Sequence, residues 1–294
     1  MTFVKCDNAS EWTKFGTRVE DCRMRASVAE LISERMDALP PGERRAAQTL
    51  VAGYPLIGLK TVAEFSQQAG VSSPTILRLV SRLGFQHYAD FQAALQDEVA
   101  AQLQSPATRA VRPGAGVSPM AAAALDNIRE TFRHLTDRQV AEIVALLATP
   151  RAGVYLVGGR FTDALARYMA AHLSIIRPGV THLAGQESNW RDRLLDMGKR
   201  DVLVVFDIRR YQESLFELSR KASARGVRIV LFTDQWLSPI ARLARHVVAG
   251  RTAVPSAWDS SAALMVVAET LIGAVTQALG DEGARRISDL ERLR

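Results

Sequence analysis

The chain has 294 residues, 48% hydrophobic and 23% charged, a globular composition sufficient for one large or two ordinary domains. Apolar runs such as Val202 to Phe206 and Ala262 to Ala268 fall well short of the roughly 18 residues of a membrane span, and Met1 to Arg25 has no apolar signal segment, so a cytoplasmic protein without a membrane partner is expected. The 37 Lys and Arg against 31 Asp and Glu give +6, which permits a polyanionic partner without requiring one, and Cys6 and Cys22 are too few for a disulfide framework or a structural zinc site.

In chain order, residues 1–25 show no period and read as a poorly ordered extension. From Ser27 the pattern is helical, with Val28, Leu31, Ile32 and Met36 on one face, broken at Leu39 to Gly42. Further helices are predicted over Glu43–Ala52, Thr61–Gln68, Ser73–Leu83 and Tyr88–Leu103, making a compact α domain of residues 26–103. The Pro- and Gly-rich stretch 104–119 reads as a linker. Two helices follow, Met120–Leu135 and Asp137–Leu147. Short apolar strands then alternate with helices: Gly153–Val157, Val180–Leu183, Val202–Asp207, Val227–Phe232 and His246–Ala249. Helices fall near Thr162–Ile176, Trp190–Met197, Tyr211–Arg225 and Pro239–Ala244, and a long one over Asp259–Leu279 closes the domain. This alternation predicts a doubly wound α/β domain with a parallel sheet over 120–282 and a tail over 283–294.

Thr61 to Gly84 has the spacing of a helix-turn-helix. Gly70 can take the positive φ of the turn, Ser66 is small enough for a close crossing, and Ser72 is placed to cap the next helix, with Pro74 in its first turn. With Ile76 and Leu79 inward, the exposed face carries Ser73, Thr75, Leu77, Arg78, Ser81 and Arg82. Hydroxyls and arginines suit base edges and phosphates, and no acidic residue occurs from Phe65 to Ala89. Ser72, Ser73, Thr75, Arg78, Ser81 and Arg82 are therefore the candidate DNA-binding residues. VSSPTILRLVSRLGFQHYADFQ, Val71 to Gln92, resembles the N-terminal domain of RpiR-type transcriptional regulators, over about residues 27–103. The resemblance implies a duplex DNA operator as partner, a regulator rather than an enzyme, and a homodimer or homotetramer.

Val154 to Ala170 reads as strand, glycine turn and helix, a geometry that offers backbone N–H groups to an anion or simply reverses the chain. The order of elements resembles the sugar isomerase (SIS) domain of the same regulators, making the whole an α helix-turn-helix domain followed by an SIS-like α/β domain. The first-loop pattern of that family, Gly-x-Gly-x-Ser, falls on Gly158, Gly159, Arg160, Phe161 and Thr162, with Arg160 replacing the second glycine. The second, Ser-x-Ser-Gly-x-Thr, falls on Phe206 to Tyr211, where hydroxyls and glycine are gone. The expected effector site is thus Gly158, Gly159, Arg160, Thr162, Asp207, Arg209, Arg210 and Tyr211, with Ser256 and Ser260 from the loop before the last helix. Arg160, Arg209 and Arg210 could clamp a small anionic effector, or pair with acids as surface or interface groups; Ser256, Asp259, Ser260 and Ser261 could equally be helix caps. No metal site or cofactor is expected, and His172, His182 and His246 have no ligand spacing. A phosphosugar isomerase and a ligand-free assembly module are the alternatives.

Overall fold

A computed structural model describes residues 26–103 and 117–293. The predicted extension, both cysteines and linker residues 104–116 lie outside the described residues.

The first unit is five helices, each begun by recognisable local chemistry. Helix α1 (Val28–Arg35) and α3 (Val62–Ala69) open with reciprocal capping boxes, Ser27 with Glu30 and Thr61 with Glu64. Helix α2 (Pro41–Ala52) begins at the proline, two residues before the expected start, because a first-turn proline lacks only an N–H that has no helical partner. Gly70, at φ 60°, ends α3 and turns the chain into α4 (Ser73–Arg82). Ser72 does not cap α4 as expected; its Oγ pairs with Thr75 Oγ1 at 2.9 Å. Helix α5 (Tyr88–Leu103) closes the unit over a core that includes Ile32, Leu50, Phe65, Ile76, Leu79, Phe91 and Leu95.

The second unit opens with α6 (Val117–His134) and α7 (Asp137–Leu147). The last three residues assigned to the linker belong to α6, where Pro119 is tolerated in the first turn. Five parallel strands follow, β1 (Val154–Gly158), β2 (Val180–His182), β3 (Val202–Phe206), β4 (Arg228–Asp234) and β5 (His246–Gly250), in the order β2-β1-β3-β4-β5. Alternate residues of β3 feed opposite cores. Val202, Val204 and Phe206 pack with α7, with α8 (Asp163–Ile176) and with the last helix, α11 (Ala262–Arg292). Leu203 and Val205 pack with α9 (Glu187–Arg193) and α10 (Glu213–Ala224). All five β3 residues are buried, which explains their uninterrupted apolar run. Between β4 and β5 the predicted helix is only a 3-10 turn, Pro239–Arg242.

The expected tail is a correction. Within Ala262–Arg292, Gly280 takes a non-helical φ of 48° and ψ of −126°, so the long helix ends at Leu279 as expected, and a second helical segment stands where a tail was expected. Beyond Gly280, Gly283 is buried and Arg286 donates to the carbonyls of Ser174 and Ile175 at the end of α8. By length and composition α11 could cross a membrane, although no single run predicted it; here Leu264, Val267, Ala268, Leu271 and Val275 instead pack in the core against the sheet.

The two units touch directly. Arg251, just past β5, is buried and binds Glu30 of α1 with two prongs.

Candidate nucleic-acid interface and effector crevice

In the helix-turn-helix, Val71 N–H donates to Ser66 O at 3.1 Å and the hydroxyls of Ser66 and Ser73 lie 3.3 Å apart, so the small residues do bring α3 and α4 close. Ile76, Leu79 and Val80 are buried, while Ser72, Leu77, Arg78, Ser81 and Arg82 are exposed and Ser73 is half-buried. Thr75 is a correction: it is buried, its Oγ1 bonded to Ser72 and to Arg78 Nη2, so it positions its neighbours instead of facing outward. Sequence reasoning missed Glu43 of α2, a buried carboxylate behind this face. Arg82 Nε donates to Glu43 Oε2 at 2.6 Å and Arg78 Nε stands 3.8 Å from Oε1. One acid thus orients both arginines, whose charges remain more than half exposed. Nothing local in the sequence signals Glu43, since the contact crosses 39 positions.

The second candidate site lies at the carboxyl ends of β1 and β3, where strand order reverses, the position at which open α/β sheets form a crevice. Gly158 is needed there: a Cβ would stand 2.4 Å from Asp163 N. Thr162 is buried and its hydroxyl donates to Phe206 O at 2.6 Å while accepting from Gly159 N–H at 2.8 Å, so it stitches β1 to β3. Arg160 is exposed and lies over Phe161, which meets Trp258 edge-on at 5.7 Å; both rings are more than half exposed. Gln212 reaches across to accept from Arg160 N–H.

Beneath the second loop are two buried acids, of which sequence reasoning named only Asp207. Asp207 accepts from Ser238 Oγ at 2.5 Å and from Gln212 N–H, and burial raises its carboxyl to about 6. Asp234 accepts from Tyr211 Oη at 2.7 Å, Trp236 N–H and Arg209 N–H, and burial likewise raises it to about 6. Burial, then the Asp234 charge, pushes the Tyr211 phenol well above its ordinary range.

Arg209 corrects the three-arginine clamp. It falls where the SIS pattern has glycine and keeps the left-handed backbone that glycine favours, at φ 53°. Its side chain is buried. The guanidinium pairs with both oxygens of Asp259, donates to Ala101 O at 2.8 Å and Gln102 O at 3.3 Å, and lies 4.6 Å over the Trp236 ring. It is therefore a strut between the crevice loop and the end of α5. Arg210 is exposed. Ser256 and Ser260 serve local turns, accepting from Trp258 N–H and Ala262 N–H. Among the described residues no group of three or more His, Cys, Asp or Glu is placed to hold a metal ion.

Residues 26–102 match the model of the helix-turn-helix domain, rpiR family, and residues 147–274 match that of the SIS domain. The chain has the architecture of the RpiR-type regulators. Relatives include the bifunctional protein glk of Burkholderia thailandensis, 25% identical over 74% of this chain, and that of Paraburkholderia xenovorans, 26% identical over 74%. The chain spans about a third of the length of these curated relatives. The RpiR-type fold recurs in the sugar isomerase domain of an RpiR transcription factor from Sphaerobacter thermophilus (TM-score 0.55, 22% identity, 59% of this chain and 96% of that one). It recurs also in the Vibrio vulnificus NanR protein complexed with ManNAc-6P (TM-score 0.53, 15% identity, 91% and 98%).

Proposed function

We propose that this chain is a cytoplasmic, DNA-binding transcriptional regulator. Helix α4 enters the major groove with Ser72, Ser73, Arg78, Ser81 and Arg82, and a small anionic metabolite, a sugar phosphate or sugar acid, occupies the β1/β3 crevice and adjusts operator affinity. The observation that carries the reading is the Arg209 strut, because one side chain joins the loop of the crevice to backbone carbonyls at the end of the DNA-binding unit. A ligand that displaces the loop necessarily disturbs that tie. Arg160 and Arg210, both exposed, are the cations available to an anion at the mouth. The ManNAc-6P held by NanR supports a phosphorylated sugar as the ligand class. A homodimer or homotetramer reading two half-sites about one helical turn apart completes the proposal.

The test is fluorescence anisotropy with duplexes obtained by in vitro selection on the full chain, repeated with ManNAc-6P and a panel of sugar phosphates and sugar acids. Selection of a symmetric sequence, with affinity changed by one of these anions and not by the neutral sugars, is the expected result. Failure to enrich any duplex would overturn the DNA-binding reading. A second reading, an SIS half that only assembles the protein, is favoured by Phe206 and Ile208 standing where the family has serines and by the buried Arg209 standing where it has glycine. It predicts enrichment of DNA with no response to any anion.

A further inference from the structure

Between the two units lies a cavity of about 190 Å³, walled by Ile32 of α1 and Met36 just after it on one side and by Leu135, Val247 and Ala249 on the other. This site is separate from the β1/β3 crevice and its chemistry is different. Its lining is mostly apolar, yet it includes Gln235, only 6% exposed, whose Oε1 has no hydrogen-bond partner. His134 is also in the wall; its Nδ1 makes no hydrogen bond and stands 3.7 Å from Glu34 Oε1. Buried acceptors without donors are uncommon and costly, so an amide oxygen left this way beside a void is a feature to be explained. The acid in the wall, Glu30, is already held by Arg251, and Glu34, outside the wall, stands beside His134.

We propose that this cavity is a second small-molecule site, for a neutral, compact, mostly apolar molecule that donates one N–H or O–H to Gln235. The volume fits one or two fused rings, since an apolar cavity of about 150 Å³ accommodates benzene. With its one wall carboxylate already paired to Arg251, the mostly apolar lining suits a neutral molecule rather than an anion, which distinguishes this ligand from the sugar phosphate or sugar acid of the crevice. Because α1 belongs to the DNA-binding unit and Val247 and Ala249 to β5, a ligand here touches both units at once and holds them together. Apolar cavities with a few convergent polar groups at domain boundaries are the usual form of such sites.

The experiment uses the full chain and three probes of similar size: indole, which has the donor; benzofuran, the same shape without it; and benzoate, an anion. Binding is followed by the resonances of 13C-methyl-labelled methionines, with Met36→Leu identifying the Met36 signal. The expected result is saturable movement of the Met36 methyl with indole, at least fivefold weaker binding of benzofuran, and none of benzoate. Gln235→Leu should make indole and benzofuran equivalent. Filling the cavity from either side, with Ala249→Leu or Val51→Phe, should weaken indole at least tenfold; two variants are used so that misfolding of one leaves the other. An unmoved Met36 methyl, equal binding of indole and benzofuran to the parent chain, or undiminished binding in a folded filling variant would overturn the proposal. None of these readouts depends on DNA or on sugar phosphates, so failure here leaves the proposed function standing.

Discussion

Arg251 and Glu30, 221 positions apart, meet in a buried two-pronged ion pair, Nε to Oε1 at 2.8 Å and Nη2 to Oε2 at 2.7 Å. Glu30 has a second duty, since its Oε2 also accepts from Ser27 N–H in the capping box of α1. The same carboxylate therefore starts the first helix and ties it to the second unit. Arg251→Met should cost about 3 kcal/mol by leaving that carboxylate buried without its cation, and most of the loss should return when Glu30→Gln is added. A double-mutant cycle in chemical denaturation measures the coupling, and additive losses would show that the pair contributes nothing beyond its parts.

On helix α4, Arg78→Ala and Arg82→Ala should each weaken operator binding by roughly 1–3 kcal/mol where the arginine contacts a base, and should flatten the salt dependence where it contacts phosphate. Arg82 carries the shorter contact with Glu43, so only Arg82→Ala should also lower the melting temperature appreciably. Glu43→Gln keeps the shape but loosens both arginines; reduced sequence discrimination with retained folding is the expected outcome, read by anisotropy on matched and scrambled duplexes.

Gly158→Ala places a methyl 2.4 Å from Asp163 N and 2.5 Å from the Thr162 carbonyl carbon, backbone that cannot give way. Loss of several kcal/mol or failure to fold is expected. At Gly70 the surroundings are open, with no atom within 4 Å of an added Cβ, so Gly70→Ala should cost only the strain of φ 60°, about 1–2 kcal/mol. Thermal melts of the two variants should rank in that order.

Stability should fall as pH rises from about 5 to 8. Burial raises Asp207 and Asp234 to about 6 and Glu98, which accepts from Val28 N–H and Tyr54 Oη, to about 7. For a carboxyl raised in the folded state, the contribution is full below its unfolded pKa and is lost as pH climbs through the folded value. Glu98 alone accounts for on the order of 2 kcal/mol of this. Urea melts at pH 5 and pH 8 measure the slope, and Glu98→Gln should make it shallower; an unchanged slope would remove Glu98 from the account.

The elements were legible in the sequence wherever a local rule governs them. Ser27, Thr61 and Gly70 announce helix ends, and the unbroken apolar run of β3 announces a strand covered on both faces. What was hidden depends on partners distant in sequence. Arg209 reads as a solvent-facing cation until Asp259, Trp236 and the carbonyls of α5 surround it. Thr75 sits on the exposed side by periodicity, yet it faces Gly42 of α2, where an added Cβ would come within 3.4 Å of its methyl. Gly280 stops the long helix, as glycine often does, but nothing local announces the second helical segment that follows it to Arg292.

The two margins of the sheet have one more consequence. At β5 the outer backbone is already engaged, Gln139 Nε2 donating to Val247 O at 2.7 Å and Thr131 Oγ1 accepting from Arg251 N–H just beyond the strand. The opposite margin, β2, is only three residues long. A short β2 and a partly engaged β5 both disfavour the addition of another chain's strand at the sheet margins. A homo-oligomer of the kind proposed above would then be joined through helical surfaces rather than through a shared sheet.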